Sequence, residues 1–231
     1  MRVSRRARRI RLTVTPRDGL VVVLPRESDR RRIPALLSEH AAWIERALMR
    51  TEERRAHLAA AALAPLPTSI ELPAVGRVYD VEYWPVAAGA SARVTERAGG
   101  LSVNVPVGDD EAAKAALRRW LSRAAKAHLV PMLEMVSDRE GLPFTHATVR
   151  AQRSRWGSCS RAGAISLNRS LLFLAPEMAR CVMVHELVHT VRHDHSPEFW
   201  RLLRERVPDV DRLRRELRQG WRRVPVWAEE G

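Results

Sequence analysis

The chain has 231 residues, 45% of them hydrophobic, which is enough for one sizeable core or two small ones. Its formal net charge of +13 comes from 40 basic residues, all but two of them arginine, against 27 acidic ones. No stretch approaches the ~20 apolar residues of a membrane helix, the Arg-rich opening lacks the apolar run of a signal peptide, and two cysteines without a C-x-x-C exclude a disulfide framework or a cysteine zinc site. A cytoplasmic protein without membrane association is expected.

The first elements read as a hairpin, Arg11 to Val14 and Leu20 to Leu24 around Pro16-Arg17-Asp18-Gly19. One long helix is predicted from Ser28 to Ala62, with Ile33, Leu36, Leu37, Trp43, Ile44 and Leu48 along it, ended by Pro65 and Pro67. Val78 to Trp84, Arg93 to Arg97 and Leu101 to Val105 read as further strands, the last two joined at Gly99-Gly100. A change of character at Val107-Gly108 sets the boundary between a β-rich part, residues 1–107, and a second part, residues 108–231.

Asp109-Asp110-Glu111 opens a second long helix, its acidic first turn matching the helix dipole. Leu117, Trp120, Leu121, Ala124, Leu129 and Met132 form its apolar stripe, and Pro131 predicts a kink. Thr148 to Arg153 and Ala164 to Leu167 read as two strands joined across Ser154 to Gly163. In that loop Trp156-Gly157 can shape a cleft wall, while Arg153, Arg155 and Arg161 can point to a carbonyl oxyanion, a carboxylate or a phosphate. Arg153, Arg155 and Trp156 are the candidate substrate contacts, Trp156 being read first as packing. Asn168 is expected to satisfy backbone at the end of the hairpin.

His185-Glu186-Leu187-Val188-His189 then carries the chemistry. At 3.6 residues per turn His185 and His189 stand on one helix face and can share a metal, and Glu186 is placed to act on water as a general base. The flanks Val182, Met183, Val184, Leu187 and Val188 are apolar, so these polar groups lack partners unless a cation is present. Cys181 on the same stretch reads as core packing, and Cys159 as a thiol beside the site. Ser196-Pro197 reads as an N-cap and helix start, so the chain turns before it and can fold His195 back as a third ligand. Glu205 and His193 are its rivals, and Asp194 and Glu198 are further carboxylates a zinc site can use. The new helix runs from Pro197 to Val207 with Phe199, Trp200, Leu202 and Leu203 inward.

Taken together, Trp156-Gly157-Ser158-Cys159-Ser160, Leu167-Asn168, the H-E-x-x-H and His195-Ser196-Pro197-x-Phe199-Trp200 resemble the YgjP-like family of predicted metal-dependent hydrolases. The Arg-rich opening hairpin and the helix with Ala42-Trp43-Ile44 are similar to that family's amino-terminal part. The ending H-x-x-x-F-W is also similar to SprT-like and Wss1-like proteases. Arg192 stands where metzincins have glycine, which limits the likeness to the wider zincins. The resemblance implies an α+β fold with a zincin-like catalytic core: a backing helix, the H-E-x-x-H helix and a small antiparallel sheet with an edge strand that aligns an extended peptide.

The reading is a zinc metallopeptidase acting on a peptide or protein, with His185, His189 and His195 as ligands and Glu186 as base, and with Arg155 and Arg192 as candidates to stabilise the oxyanion. Two alternatives stay open. A zinc cleft with arginines can hold a nucleoside triphosphate for pyrophosphohydrolysis. The clusters Arg2, Arg5, Arg6, Arg8, Arg9, Arg11 and Arg212, Arg214, Arg215, Arg218, Arg222, Arg223 can bind nucleic acid around a structural zinc. Solvated faces and a biased base composition account for the same arginines. Oligomeric state is not legible.

Overall fold

A computed structural model describes residues 2–3, 10–15, 19–25, 31, 33–62, 64–152 and 154–229. Contacts divide the chain into two units, Met1–Ala64 and Pro65–Gly231. This contact boundary falls at Pro65, the first proline after the helical stretch.

In the first unit, β2 (Arg11–Thr15) and β3 (Gly19–Leu24) pair antiparallel, and the two-residue β1 (Arg2–Val3) pairs parallel to β3. The turn Pro16-Arg17-Asp18 lies outside the described residues, but Gly19 has φ 64°, which a glycine adopts without strain. The predicted long helix is two: α1 (Ile33–Glu39) and α2 (Ala41–Ala62), with His40 as the junction and bonds from His40 N to Leu36 O and Ile44 N to His40 O across it. Val22, Leu24 and Ile33 form the small core, whereas Trp43 and Leu48 are exposed.

The second unit opens with a four-stranded sheet of order β4-β5-β7-β6. Its strands are β4 (Ser69–Leu72), β5 (Arg77–Val86), β6 (Arg93–Arg97) and β7 (Gly100–Pro106). β5 and β7 are parallel and the other pairs antiparallel. The sheet packs on α3 (Asp110–Glu140), whose first turn is capped by the Asp109 carboxylate accepting from Ala112 N at 2.9 Å. Leu117, Leu121, Leu129 and Leu133 of α3 are fully buried with Leu72 and Val103 of the sheet, each worth ~1.5–3 kcal/mol of burial. Tyr79 meets Trp120 edge-on at 5.2 Å, and the indole N–H reaches Glu96 at 3.2 Å. The helix continues through Pro131 without a break, which leaves the Ala127 carbonyl without its helical donor.

The other face of this core is built by β8 (His146–Arg150), β9 (Gly157–Cys159), β10 (Ala164–Asn168) and the helices α4 (Pro176–Val188), α5 (Pro197–Arg206) and α6 (Val210–Gln219). The two strands expected to form a hairpin, β8 and β10, are parallel; β9 lies inside the predicted loop and pairs antiparallel with β10. The small sheet is therefore mixed and not antiparallel, and β9 is at its edge. α4 packs on α3, α5, α6 and β9. The architecture is α+β, and no described helix is long and apolar enough to cross a membrane.

Candidate active site

Helix α4 starts at Pro176, with Glu177 in its first turn, and is buried along Met178, Ala179, Cys181 to Val184 and Glu186 to Val188. It stops because Thr190 and Val191 turn their N–H groups onto the Leu187 and Val188 carbonyls, and the Thr190 hydroxyl also donates to Leu187 O at 2.8 Å. That turn brings the Arg192 carbonyl to 2.9 Å from His189 Nδ1. A carbonyl only accepts, so Nδ1 carries the proton and the Nε2 lone pair of His189 is left for another partner.

Beyond the turn the chain folds back, and His195 Nε2 lies 3.2 Å from His185 Nε2. Among the described residues, His185, His189 and His195 form a group whose ligating nitrogens all lie within 4.8 Å of one another. Phe199 of α5, fully buried, packs against all three imidazoles at 4.6–4.9 Å, and Trp200 stacks on His195 at 5.7 Å.

These residues fit a metal ion. Zinc–nitrogen bonds of ~2.0–2.1 Å at tetrahedral angles place ligand atoms ~3.3 Å apart, close to the His185–His195 spacing. Burial, then the neighbouring His189, His195 and Arg214 charges, pushes His185 down to about 3, and burial lowers His189 as well. Both imidazoles are thus neutral at pH 7, the form that donates a lone pair. The carboxylate candidates are engaged elsewhere: Glu205 and Glu198 pair with Arg201, and the Asp194 carboxylate accepts from Ser196 N at 3.4 Å. His193 lies beside the triad on the cleft wall.

Glu186 is buried, and its burial, opposed by the Arg155 charge, raises its carboxyl to about 7. It rests on the backbone of β9. A Cβ at position 157 would lie 2.7 Å from Glu186 Oε1 and 2.8 Å from its Cγ, so only glycine leaves room for this carboxylate. Asn168 N donates to Trp156 O and Ser160 N to Ala164 O, so Trp156, Ser158 and Ser160 turn inward to β10. The backbone polar groups of Gly157 and Cys159 face the open edge.

Asn168 is buried and serves backbone: its amide donates to the Gln152 and Arg155 carbonyls at 2.7 and 2.9 Å, and its Oδ1 accepts from Ser170 N at 3.0 Å. It thereby pins the loop that presents Arg155 and Trp156. Trp156 stacks on Trp221 at 3.9 Å, its N–H donates to Leu217 O, and Gly220 behind it leaves 3.1 Å to the indole edge for any Cβ. Arg155 lines the cleft; Arg153 lies outside the described residues. Ser196 stands at the start of α5 with its hydroxyl buried and uncapping, contrary to expectation. The Cys181 thiol is buried and pushed up to about 11, as a packing residue requires.

Two cavities meet at this centre, one of about 380 Å³ on the α6 side and one of about 450 Å³ on the His193 side. They share Arg155, Gly157, His185 and Glu186. The α6 side of the wall, with Arg214, Arg218 and Trp221, is the part that sequence reading missed. Only the arginine cluster flagged it, and that cluster reads equally as a solvated face.

The comparison with curated proteins found no match. Among solved structures, the chain is similar to the metallopeptidase zymogen of Pyrococcus abyssi abylysin, with 26% identity, 39% of this chain and 95% of that chain covered, and a TM-score of 0.33. That superposition is too loose to carry an argument. The family described as YgjP-like, metallopeptidase domain, matches residues 8–220. With nearly the whole chain matched, the protein belongs to the YgjP-like metallopeptidases.

Proposed function

We propose that the protein is a zinc-dependent peptidase with a zincin-like core, in which α3 backs α4, His185, His189 and His195 hold the metal, and Glu186 is the general base. The observation that carries this reading is the convergence of three imidazoles, two of them neutral, beside a buried carboxylate. When bound, zinc supplies Lewis-acid chemistry, polarising a carbonyl and acidifying water. Glu186, with a pKa near neutrality, accepts a proton from water at its carboxylate and returns it to the leaving amine. The Arg192 carbonyl fixes the His189 ring through Nδ1. The open edge of β9 offers the Gly157 and Cys159 backbone groups to an extended peptide, and Arg155 stands where it can face the developing oxyanion.

The test separates metal holding from proton transfer. Purified protein should contain about one zinc per chain; Glu186→Gln should keep it and the fold while turnover on peptides falls by at least ~10²-fold. His185→Ala and His189→Ala should lose metal and melt at lower temperature. Equal turnover by Glu186→Gln and wild type would remove this mechanism.

A further inference from the structure

The cavity on the α6 side has a composition that peptide hydrolysis alone does not require. Its walls are apolar, from Trp156, Val182, Val210, Leu217 and Trp221, and three guanidinium groups, Arg155, Arg214 and Arg218, line it with Glu186 as its one carboxylate. Arg214 is held in place: its guanidinium lies 4.0 Å over the Trp200 ring and 3.8 Å from Asp211. Among the described residues neither Arg155 nor Arg218 has an ion-pair partner. An indole-walled pocket with the unpaired guanidinium of Arg218 in its lining suits an occupant with an apolar stem and an anionic tip.

We propose that this cavity is a specificity pocket for a carboxylate-bearing residue of the substrate next to the scissile bond. The inference rests on the peptidase reading above and adds the substrate class. The planar guanidinium of Arg218, an exposed residue of the lining, pairs with the carboxylate, and Arg214 adds a fixed positive charge to the same wall. The stem packs on Trp221 and Leu217. The carboxylate comes from a glutamate side chain or from the free end of a short peptide, and a nucleotide is the competing anion.

The experiment uses full-length, zinc-loaded protein and peptides that differ only in one residue beside the cut, Glu, Gln, Leu or Lys, each with a free or amidated carboxyl end. Glu should exceed Gln in kcat/KM by about 10-fold or more, and Arg218→Gln should erase that ratio. Arg218→Glu should invert it in favour of Lys, a gain that a misfolded variant cannot produce. Glu-over-Gln discrimination that survives amidation assigns the side chain as source; equal rates for Glu and Gln that fall together on amidation, a fall erased by Arg218→Gln, assign the chain end. Equal rates for Glu and Gln that amidation also leaves unchanged, or a preference untouched by Arg218→Glu, would overturn the proposal. If no peptide is cut, the peptidase reading fails by itself, and calorimetric binding of the same peptides and of ATP to Glu186→Gln decides the pocket. Glu-over-Gln binding that depends on Arg218 supports it, and tighter binding of ATP than of any peptide overturns it.

Discussion

Helices α4 and α6 pack against each other, and they dispose of charge in opposite ways. On α6, Arg212 pairs with Asp209 at 3.1 Å and Glu216 at 2.7 Å, and Arg214 with Asp211, so the cations stay charged with partners and water around them. On α4 Arg180 pairs with Glu140 at 2.6 Å, but towards the end of the helix His185 is driven down and Glu186 up, each towards its neutral form. Paired or solvated charges, as on Arg212 and Arg214, need nothing further. A helix end that neutralises its groups by burial keeps lone pairs and a proton acceptor in reserve, which is what a metal and a water use.

The sharpest way to break this contrast is to disturb the seat of Glu186 without touching its chemistry. Gly157→Ala should push the carboxylate off β9 and lower turnover on the order of 10²-fold with metal content retained, because small misplacements of a reacting group are that costly. Wild-type activity in that variant would mean that the β9 contact does not position the base.

A smaller effect lies in the acid stability of metal-free protein. His185, at about 3 folded against 6.5 unfolded, contributes stability that is complete above pH 6.5 and is lost as pH falls towards 3; His189, also lowered, acts in the same sense. Glu186, at about 7 folded against 4.5 unfolded, contributes stability that is complete below pH 4.5 and is lost as pH rises through 7. The two oppose each other between pH 4.5 and 6.5. Metal-free Glu186→Gln, with no carboxyl to protonate, should therefore lose more stability than wild type as pH falls across that window, measured by thermal melts. Parallel profiles would show that burial does not govern Glu186.

The smallest effect belongs to α6. Arg212→Gln removes two solvent-facing pairs and should move Tm by no more than about 2 °C, less in high salt. A larger shift would place α6 among the elements that carry their charge as stability.

What could be read from the sequence followed the range of the interactions. The H-E-x-x-H pair is a matter of one helical turn, and His195 precedes a proline-marked helix start, so their proximity follows from local rules. The strands β5, β6 and β7 were legible from alternation and Gly99-Gly100, whereas β4, four residues between prolines, left too little pattern. The parallel pairing of β8 with β10 was out of reach, since residues 151–163 hide a third strand that inserts on the far side of β10. Gly157 is explained only by Glu186, 29 positions away in sequence, and the Trp221 and Arg218 wall only by the return of α6 to the cleft. Ser196 illustrates the reverse: the local cap signal is present, but the hydroxyl is shielded from solvent and makes no capping bond.

The Trp156–Trp221 stack has an optical consequence. Two indoles 3.9 Å apart and 14° from parallel have coupled excited states, so the cleft wall carries its own chiral chromophore. The coupled part of its circular dichroism is a property of the pair and changes when either ring moves. The geometry of the loop that Asn168 pins is therefore written in the absorption of the protein itself, without any label.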